Sequence, residues 1–416
     1  MVPNPQIHMI PTDQFKTLSV SLKFIGPFEA RTVNERALLP QILLAATKSH
    51  PSKQAMQLRF DTLYGTQVSG SVAKIGMQSV ISFSASIVRE DLLGRPIYAA
   101  VADLFHEILF APKTRSGRFL KGIVQNEMQL LSDSLEAIYN DKTEYAYRQM
   151  RAKMFEGELF ANSDQGVLET LEAVSSESLW NAYQKMIRED AVELYVVGDV
   201  SANAFADALA KRIPMRPVAP DLQWLDREMP QSRDVLRLVD VDDVKQAKLD
   251  IGYRTTTWYD SDNVFAMFVF NTLFGDSEQS VLFQSVREKE HLCYSIQSSF
   301  HHNKGFLVVS AGIEGSKVEQ TIAAVERERQ RIASGDFTEE DLELAKRWLM
   351  EGQRRGLDSP TSLIVRHFNY THQLKRPYDK DAFETYLNAV TKKDVQAAAA
   401  LIGLDTIHVL TGGTPR

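Results

Sequence analysis

The chain has 416 residues, 44% hydrophobic and 24% charged, which supplies a large core and exceeds the usual size of a single one, so two domains or two halves of a repeat are expected. A net charge of −7, a pI near 5.8 and the lack of any dense Lys/Arg block exclude nucleic acid and an anionic membrane surface as natural partners. The single cysteine, Cys293, excludes an intramolecular disulfide framework and fits a reducing compartment.

Met1-Val2-Pro3-Asn4-Pro5 shows no basic segment followed by an apolar one, so no signal peptide is expected. No apolar run reaches the roughly eighteen residues of a membrane span, which points to a cytoplasmic protein. The first strand pattern lies at 16–24, where Leu18, Val20, Leu22 and Phe24 alternate with polar residues. Val68 to Val72 then leads through a turn at Gly76 into 79–87, a two-stranded antiparallel ribbon with one buried face. Helical patterns cover roughly 89–111, 116–139, 143–156 and 165–187, then Val192 to Gly198 reads as a closing strand, and 201–212 is helical again.

A stretch from Pro214 through Pro220 to Pro230, rich in proline and without periodicity, predicts an extended linker over 214–232. Beyond it the pattern starts again. Ala247, Leu249, Ile251 and Tyr253 take the places of the first strand's apolar residues. Ser295 to Phe300, a turn around Asn303 to Gly305, and Phe306 to Ile313 form a second ribbon. Helical patterns follow near 316–334, 338–355, 360–374, 379–389 and 391–401, with Thr338 before Glu339, Glu340 and Asp341 as a good helix start. A strand from Thr406 to Gly413 closes the chain. Two unrelated α+β domains could share strand alternation, but elements recurring in one order favour duplication. The expected fold is α+β, with halves at 1–213 and 233–416, each a largely antiparallel sheet with helices on one face.

The segment Ser285 to Ser295 carries the chemistry. It sets Arg287 and Tyr294 seven residues apart where a helix end runs into a strand, behind Leu273-Phe274-Gly275 and Val281-Leu282-Phe283. In these residues the chain resembles the second half of the zinc peptidases that include pitrilysin, insulin-degrading enzyme and the mitochondrial processing peptidase. The resemblance implies two halves packed around a cavity. In active members the first helix carries His-x-x-Glu-His, with two imidazoles on zinc and the glutamate as base on its water. Pro51-Ser52 and Gly65 mark the continuation of that motif. Counted back from Pro51, the three motif positions are Ala37, Pro40 and Gln41, none of which binds zinc or serves as a base, and a proline there alters the helix. The family's third ligand corresponds to Glu127, which alone cannot hold a catalytic zinc and reads as a solvated or ion-paired residue.

The nine histidines offer His301-His302, His367 with His372, and His106 beside Glu107, none at good ligand spacing. No Gly-x-Ser-x-Gly elbow, Walker loop or dinucleotide fingerprint is present, and Cys293 has no evident base partner. By position in the resembled family, Arg287 and Tyr294 bind substrate, holding its backbone carbonyls beside the scissile bond. The plainer reading gives Arg287 a surface ion pair with Glu288 or Glu290 and packs Tyr294 as a strand residue. The ribbon Val68–Val72 and Val80–Ile87 is the candidate edge for a peptide added as a β-strand, or simply a guarded edge.

Tyr139-Asn140-Asp141-Lys142 and Leu63-Tyr64-Gly65 resemble a bacterial subgroup without the zinc motif, whose members accompany zinc-bearing ones. The resemblance thus implies a non-catalytic, peptide-binding subunit of a two-part zinc metallopeptidase, with zinc only in the partner and no cofactor of its own. The partner would be a homologous zinc-bearing subunit in a heterodimer, or a second copy in a homodimer, and the substrate a peptide or unfolded polypeptide. The alternatives are an active metal-dependent endopeptidase with an unusual site, and a structural or assembly protein on the same fold.

Overall fold

The structure, a computed structural model, describes residues 6–229 and 234–413. The opening Met1–Pro5 and positions 230–232 of the expected linker lie outside the described residues. Two compact units form, one from Met1–Glu136, Ser163–Trp224 and Ser359–Asn369, the other from Ala137–Asn162, Leu225–Asp358 and Tyr370–Arg416.

The first unit is built on a five-stranded sheet of β1 (Ile7–Pro11), β2 (Thr17–Pro27), β3 (Val68–Ile75), β4 (Gln78–Val88) and β5 (Ala191–Gly198), in the order β1-β5-β2-β4-β3. All neighbours are antiparallel except β1 and β5. The alternation in β2 sends Leu18, Val20, Leu22 and Phe24 to one face, where all four are buried. Against that face pack α1 (Val33–Ala45), α2 (Lys53–Thr62), α3 (Tyr98–Phe110), α4 (Lys121–Asn140), α6 (Ser176–Glu189) and α7 (Ala202–Ala210), contributing Leu38, Leu43, Met56, Phe105, Val124, Leu179 and Phe205 to one core. Between α4 and α6 the chain forms α5 (Lys142–Met154), which belongs to the second unit.

The second unit repeats this plan. Its sheet holds β6 (Leu236–Val241), β7 (Ala247–Arg254), β8 (Cys293–His301), β9 (Phe306–Ile313) and β10 (Gly403–Thr411), in the order β8-β9-β7-β10-β6. Only the β10–β6 pair is parallel. Its core joins Leu249, Ile251 and Tyr253 of β7 to α8 (Val264–Phe274), a π-helix (Leu282–Lys289), α9 (Val318–Ala333), α10 (Glu339–Leu357), α12 (Lys380–Ala389) and α13 (Lys392–Ala400). α11 (Pro360–His372) gives most of its length to the first unit. Strand order and pairing sense match one for one, so the α+β architecture of two like halves is as expected. On the opposite face of the second sheet, α5 approaches so closely that a Cβ on Gly252 would meet the Met154 sulfur at 2.6 Å.

Some expectations need correction. β1 and β6 were not anticipated; each is an edge strand held by parallel pairing to the strand that closes its half, a partner far away in sequence. The expected helix 89–111 breaks around Gly94 (φ +64°) and Pro96, leaving a short turn at Glu90–Leu93 and α3. That at 116–139 begins only at Lys121, because Ser116 and Gly117 both take positive φ and turn a small ribbon. That at 165–187 is split into a short turn at Leu168–Leu171 and α6, which starts at Ser176, where Ser175 and Ser178 form a reciprocal cap. Thr338 caps α10 with Asp341, as the sequence indicated.

Candidate functional site

α1 carries Ala37, Pro40 and Gln41, the residues that the resemblance sets against the zinc motif, and its anchoring is structural. Arg36 donates to Ser79 Oγ (2.7 Å) and to Asp190 Oδ2 (2.9 Å), both groups buried, which ties the helix to the starts of β4 and β5. Burial raises the Asp190 carboxyl, and the Arg36 charge opposes that rise. Asn34 donates to Val167 O and accepts from Val167 N–H at 2.7 Å. Beyond these anchors Ala37 is half-buried, Pro40 is buried within the helix, and Gln41 is exposed. Gln41 Nε2 donates to Gly70 O of edge strand β3 at 3.1 Å, so its amide now clamps backbone.

Glu127 on α4 is buried, and Lys53 Nζ at the start of α2 lies 2.8 Å from its Oε1, with Asn126 donating to the same oxygen. An ammonium therefore supplies the positive charge at this carboxylate. Glu107 lies elsewhere, its Oε1 taking the Thr47 hydroxyl, His50 Nδ1 (3.0 Å) and Ser49 N–H (3.3 Å). Burial pushes that carboxyl up, but these hydrogen bonds outweigh it and leave it below the ordinary value. The arrangement pins the loop before Pro51 and offers no free nucleophile. His106, its exposed neighbour, lies against Phe110.

His301 stacks on Phe306 (4.3 Å between centroids), while His302 packs among Tyr259, Phe268 and Phe300. Burial drives both imidazoles down to about 4, as it does His367. These are packing groups held neutral. Among the described residues, no three His, Cys, Asp or Glu side chains group as metal ligands.

Arg287 and Tyr294 sit where the backbone of the second unit is least regular. Leu282 and Val286 bury the inner side of the π-helix, and Arg287 lies over the Phe283 ring at 4.4 Å. Glu288 is 3.6 Å away, a loose ion pair on a side chain that remains more than one-third exposed. Glu290 is instead engaged by Arg327. The helix ends with His291 at φ +52°, and β8 begins with a bulge between Cys293 and Ser295. Cys293 and Ile296 point into the core, so the bulge turns both Tyr294 and Ser295 to the other face. Tyr294 is 53% exposed, and its hydroxyl donates to Glu314 Oε1 at 3.1 Å, which pushes the phenol above its ordinary value. Burial lifts the Cys293 thiol to about 11, leaving it unreactive. The helix end running into a strand is as the sequence indicated; the bulge and the π-helix had no signal in it, because their residue types are common in regular strands and helices.

A family profile described as the peptidase M16 inactive domain matches residues 173–349. The probable inactive metalloprotease YmfF of Bacillus subtilis (strain 168) is 33% identical over 412 residues, spanning 97% of this chain and 95% of its own length. A conserved protein from Enterococcus faecalis V583 has the same fold at a TM-score of 0.91 and 28% identity, covering 99% of this chain and 97% of that one. A peptidase M16 inactive domain from Pseudomonas fluorescens, at 16% identity and a TM-score of 0.78 over 98% and 96% of the two chains, is alike in fold. With a relative so similar across almost its whole length, the chain belongs to the M16 peptidase family, as a non-catalytic, peptidase-like member.

Proposed function

We propose that this chain is the substrate-holding subunit of a two-part zinc peptidase, in which a homologous partner carries the metal. Arg287 and Tyr294 bind backbone carbonyls of an extended peptide or unfolded segment and present it to the partner's zinc-bound water. A guanidinium fork and a phenol are strong donors to carbonyl oxygens and read no side chain, which suits a broad peptide substrate. The observation that carries the reading is that a π-helix and a β-bulge, two irregularities that re-aim side chains, leave the Arg287 side chain more than one-third exposed and Tyr294 53% exposed.

The test begins with co-purification from the native cell to find the zinc-bearing partner, followed by turnover of an unstructured peptide by the mixed enzyme. Arg287→Ala or Tyr294→Phe should lower that turnover on the order of 10²-fold, the usual effect of losing one donor to a bound carbonyl or developing oxyanion. Folding and complex formation should be unchanged, since exposed side chains carry little stability. Full activity in both variants would reduce the pair to scaffolding and favour a structural role.

A further inference from the structure

Next to Tyr294 in sequence, Ser295 lines a small cavity on the second sheet. Ser295, Gln297, Lys248, Asp250 and Ser310 line it, and Thr143 of α5 closes one side, around a volume of about 150 Å³. Gly312 forms its floor, where a Cβ would meet Ser295 Oγ at 3.0 Å and lie 3.9 Å from Lys248 Nζ. Asp250 is 2% exposed, and its Oδ1 accepts from the Ser310 hydroxyl. Among the described residues that hydroxyl is the one donor the carboxylate has, and no ion pair joins it to Lys248.

A buried carboxylate with a single neutral donor is costly, and it is satisfied by a proton or by a cation brought to it. Burial raises this carboxyl to about 7, Glu144 of α5 adds to the rise, and Ser310 and Lys248 oppose it. The remaining lining groups, the Ser295 hydroxyl and the Gln297 amide oxygen, are further acceptors for a three-donor group. A carboxylate ligand would face both Asp250 and Glu144. The volume admits a few waters or one amine-tipped chain, and nothing bulky.

We propose that this cavity is a subsite that takes a primary ammonium group of a bound peptide, with Asp250 as its counter-charge and Tyr294 holding the backbone alongside. The proposal rests on the peptide-binding reading above. The ammonium can come from a lysine side chain or from the peptide's α-amino terminus, and the two sources share this chemistry.

The experiment is fluorescence anisotropy at pH 8 with unstructured peptides labelled at the C-terminus. One is N-acetylated with a single lysine, one is N-acetylated with norleucine in its place, and one has norleucine and a free N-terminus. The protein should bind at least one ammonium-bearing peptide about tenfold more tightly than the fully neutral one, the effect of a modest desolvated ion pair. Preference for the acetylated lysine peptide identifies the side chain as the source; preference for the free amine identifies the terminus. Asp250→Asn should erase the preference while binding of the neutral peptide persists, and Lys248→Met, which removes a competing cation, should keep or widen it. Equal affinity for all three peptides, or a preference that survives Asp250→Asn, would overturn the subsite while leaving peptide binding intact. Failure of every peptide to bind would overturn the peptide-binding reading and the subsite with it.

Discussion

The two units close their exposed sheet edges with the same device built in opposite ways. In the first, edge strand β3 carries Gly70, and the bare backbone lets Pro40 of α1 approach so nearly that a Cβ on Gly70 would meet the Pro40 Cβ at 2.6 Å. In the second, the glycine lies on the helix side: Gly275 ends α8, and a Cβ there would meet the Ser298 nitrogen of β8 at 2.8 Å. Ser298 N–H donates to Gly275 O at 3.0 Å and its hydroxyl donates to Asn271 Oδ1 at 2.9 Å, so backbone seals that edge. A side chain, Gln41, seals the other. Fixed closure accompanies the irregular segment 282–295 that displays Arg287 and Tyr294. In the first unit the corresponding passage from α2 to β3 turns at Tyr64 and Gly65 (φ +57° and +75°) and continues as a plain strand. The difference is one of backbone: the first unit closes its edge with a regular helix and a plain strand, while the second carries Arg287 and Tyr294 on a π-helix and a bulge.

Breaking each unit at its buried charges should give the largest effects. Lys304 in the second unit is 1% exposed and lies 2.7 Å from Asp226 and 2.6 Å from Glu158, with Arg254 also on Glu158. Lys304→Met would leave buried carboxylates short of positive charge, at an expected cost of about 3–5 kcal/mol in urea unfolding. Arg36→Met in the first unit takes the ion-pair partner from Asp190, but the charge of Arg216 stays beside that carboxylate, so it should cost less. Equal losses would show that the two clips do the same work.

A second comparison has opposite signs in pH. Asp250 titrates at about 7 in the folded chain against an ordinary 3.8, so the wild type loses stability as pH rises from about 4 to about 7. Asp250→Asn should therefore add on the order of 2–4 kcal/mol at pH 8, with the gain gone below pH 4. Lys23 in the first unit is lowered by burial, against the pull of Glu193, to about 8 from 10.5, so its cost is present below pH 8 and fades as pH rises toward 10.5. Lys23→Met should stabilise at pH 7 and stop doing so near pH 11. Thermal unfolding of both variants across this range would break the comparison if their gains moved with pH in the same direction.

Much of this architecture is legible in the sequence. Alternation at Leu18 to Phe24 and at Ala247 to Tyr253 placed the central strands, because one face of each is buried and the pattern is strict. The parallel edges β1 and β6 were not, since their pairing is with the distant closing strands. That Ala37, Pro40 and Gln41 cannot ligate zinc followed from their identities. What those residues do instead did not, because a hydrogen bond from Gln41 to Gly70 O depends on the approach of a helix to a strand 29 positions away. Asp250 also stayed hidden: a lone aspartate in a strand reads as a solvated residue until α5 covers it.

The glycines test the edge comparison directly. Gly275→Ala pushes a methyl group against the Ser298 backbone nitrogen, which cannot rotate away, and should cost about 1–3 kcal/mol. Gly70→Ala meets Pro40 Cβ and, at 3.1 Å, Leu44 Cδ1, so part of the strain can relax through Leu44. A smaller loss is expected there, and hydrogen exchange should show β3 loosening before β8.

The smallest effect falls on Gln41, and it is the one that reads function from the comparison. Its amide satisfies an outward carbonyl of the β3 edge, and Asp164 accepts the outward Lys74 N–H of the same edge at 2.9 Å. Gln41 is exposed, so Gln41→Ala hands Gly70 O to water and should cost only about 0.5–1 kcal/mol. Ser298→Ala in the second unit removes the hydroxyl bonds yet leaves the N–H on Gly275, so its edge should stay shut. If an added peptide strand uses the β3 edge, it must compete with Gln41 for that carbonyl. Gln41→Ala should then tighten binding of an extended peptide severalfold, measured by anisotropy, while Ser298→Ala leaves it unchanged. Weaker binding in Gln41→Ala would instead make the amide part of the peptide's own contact surface, and equal binding in both would assign the peptide to the second unit alone.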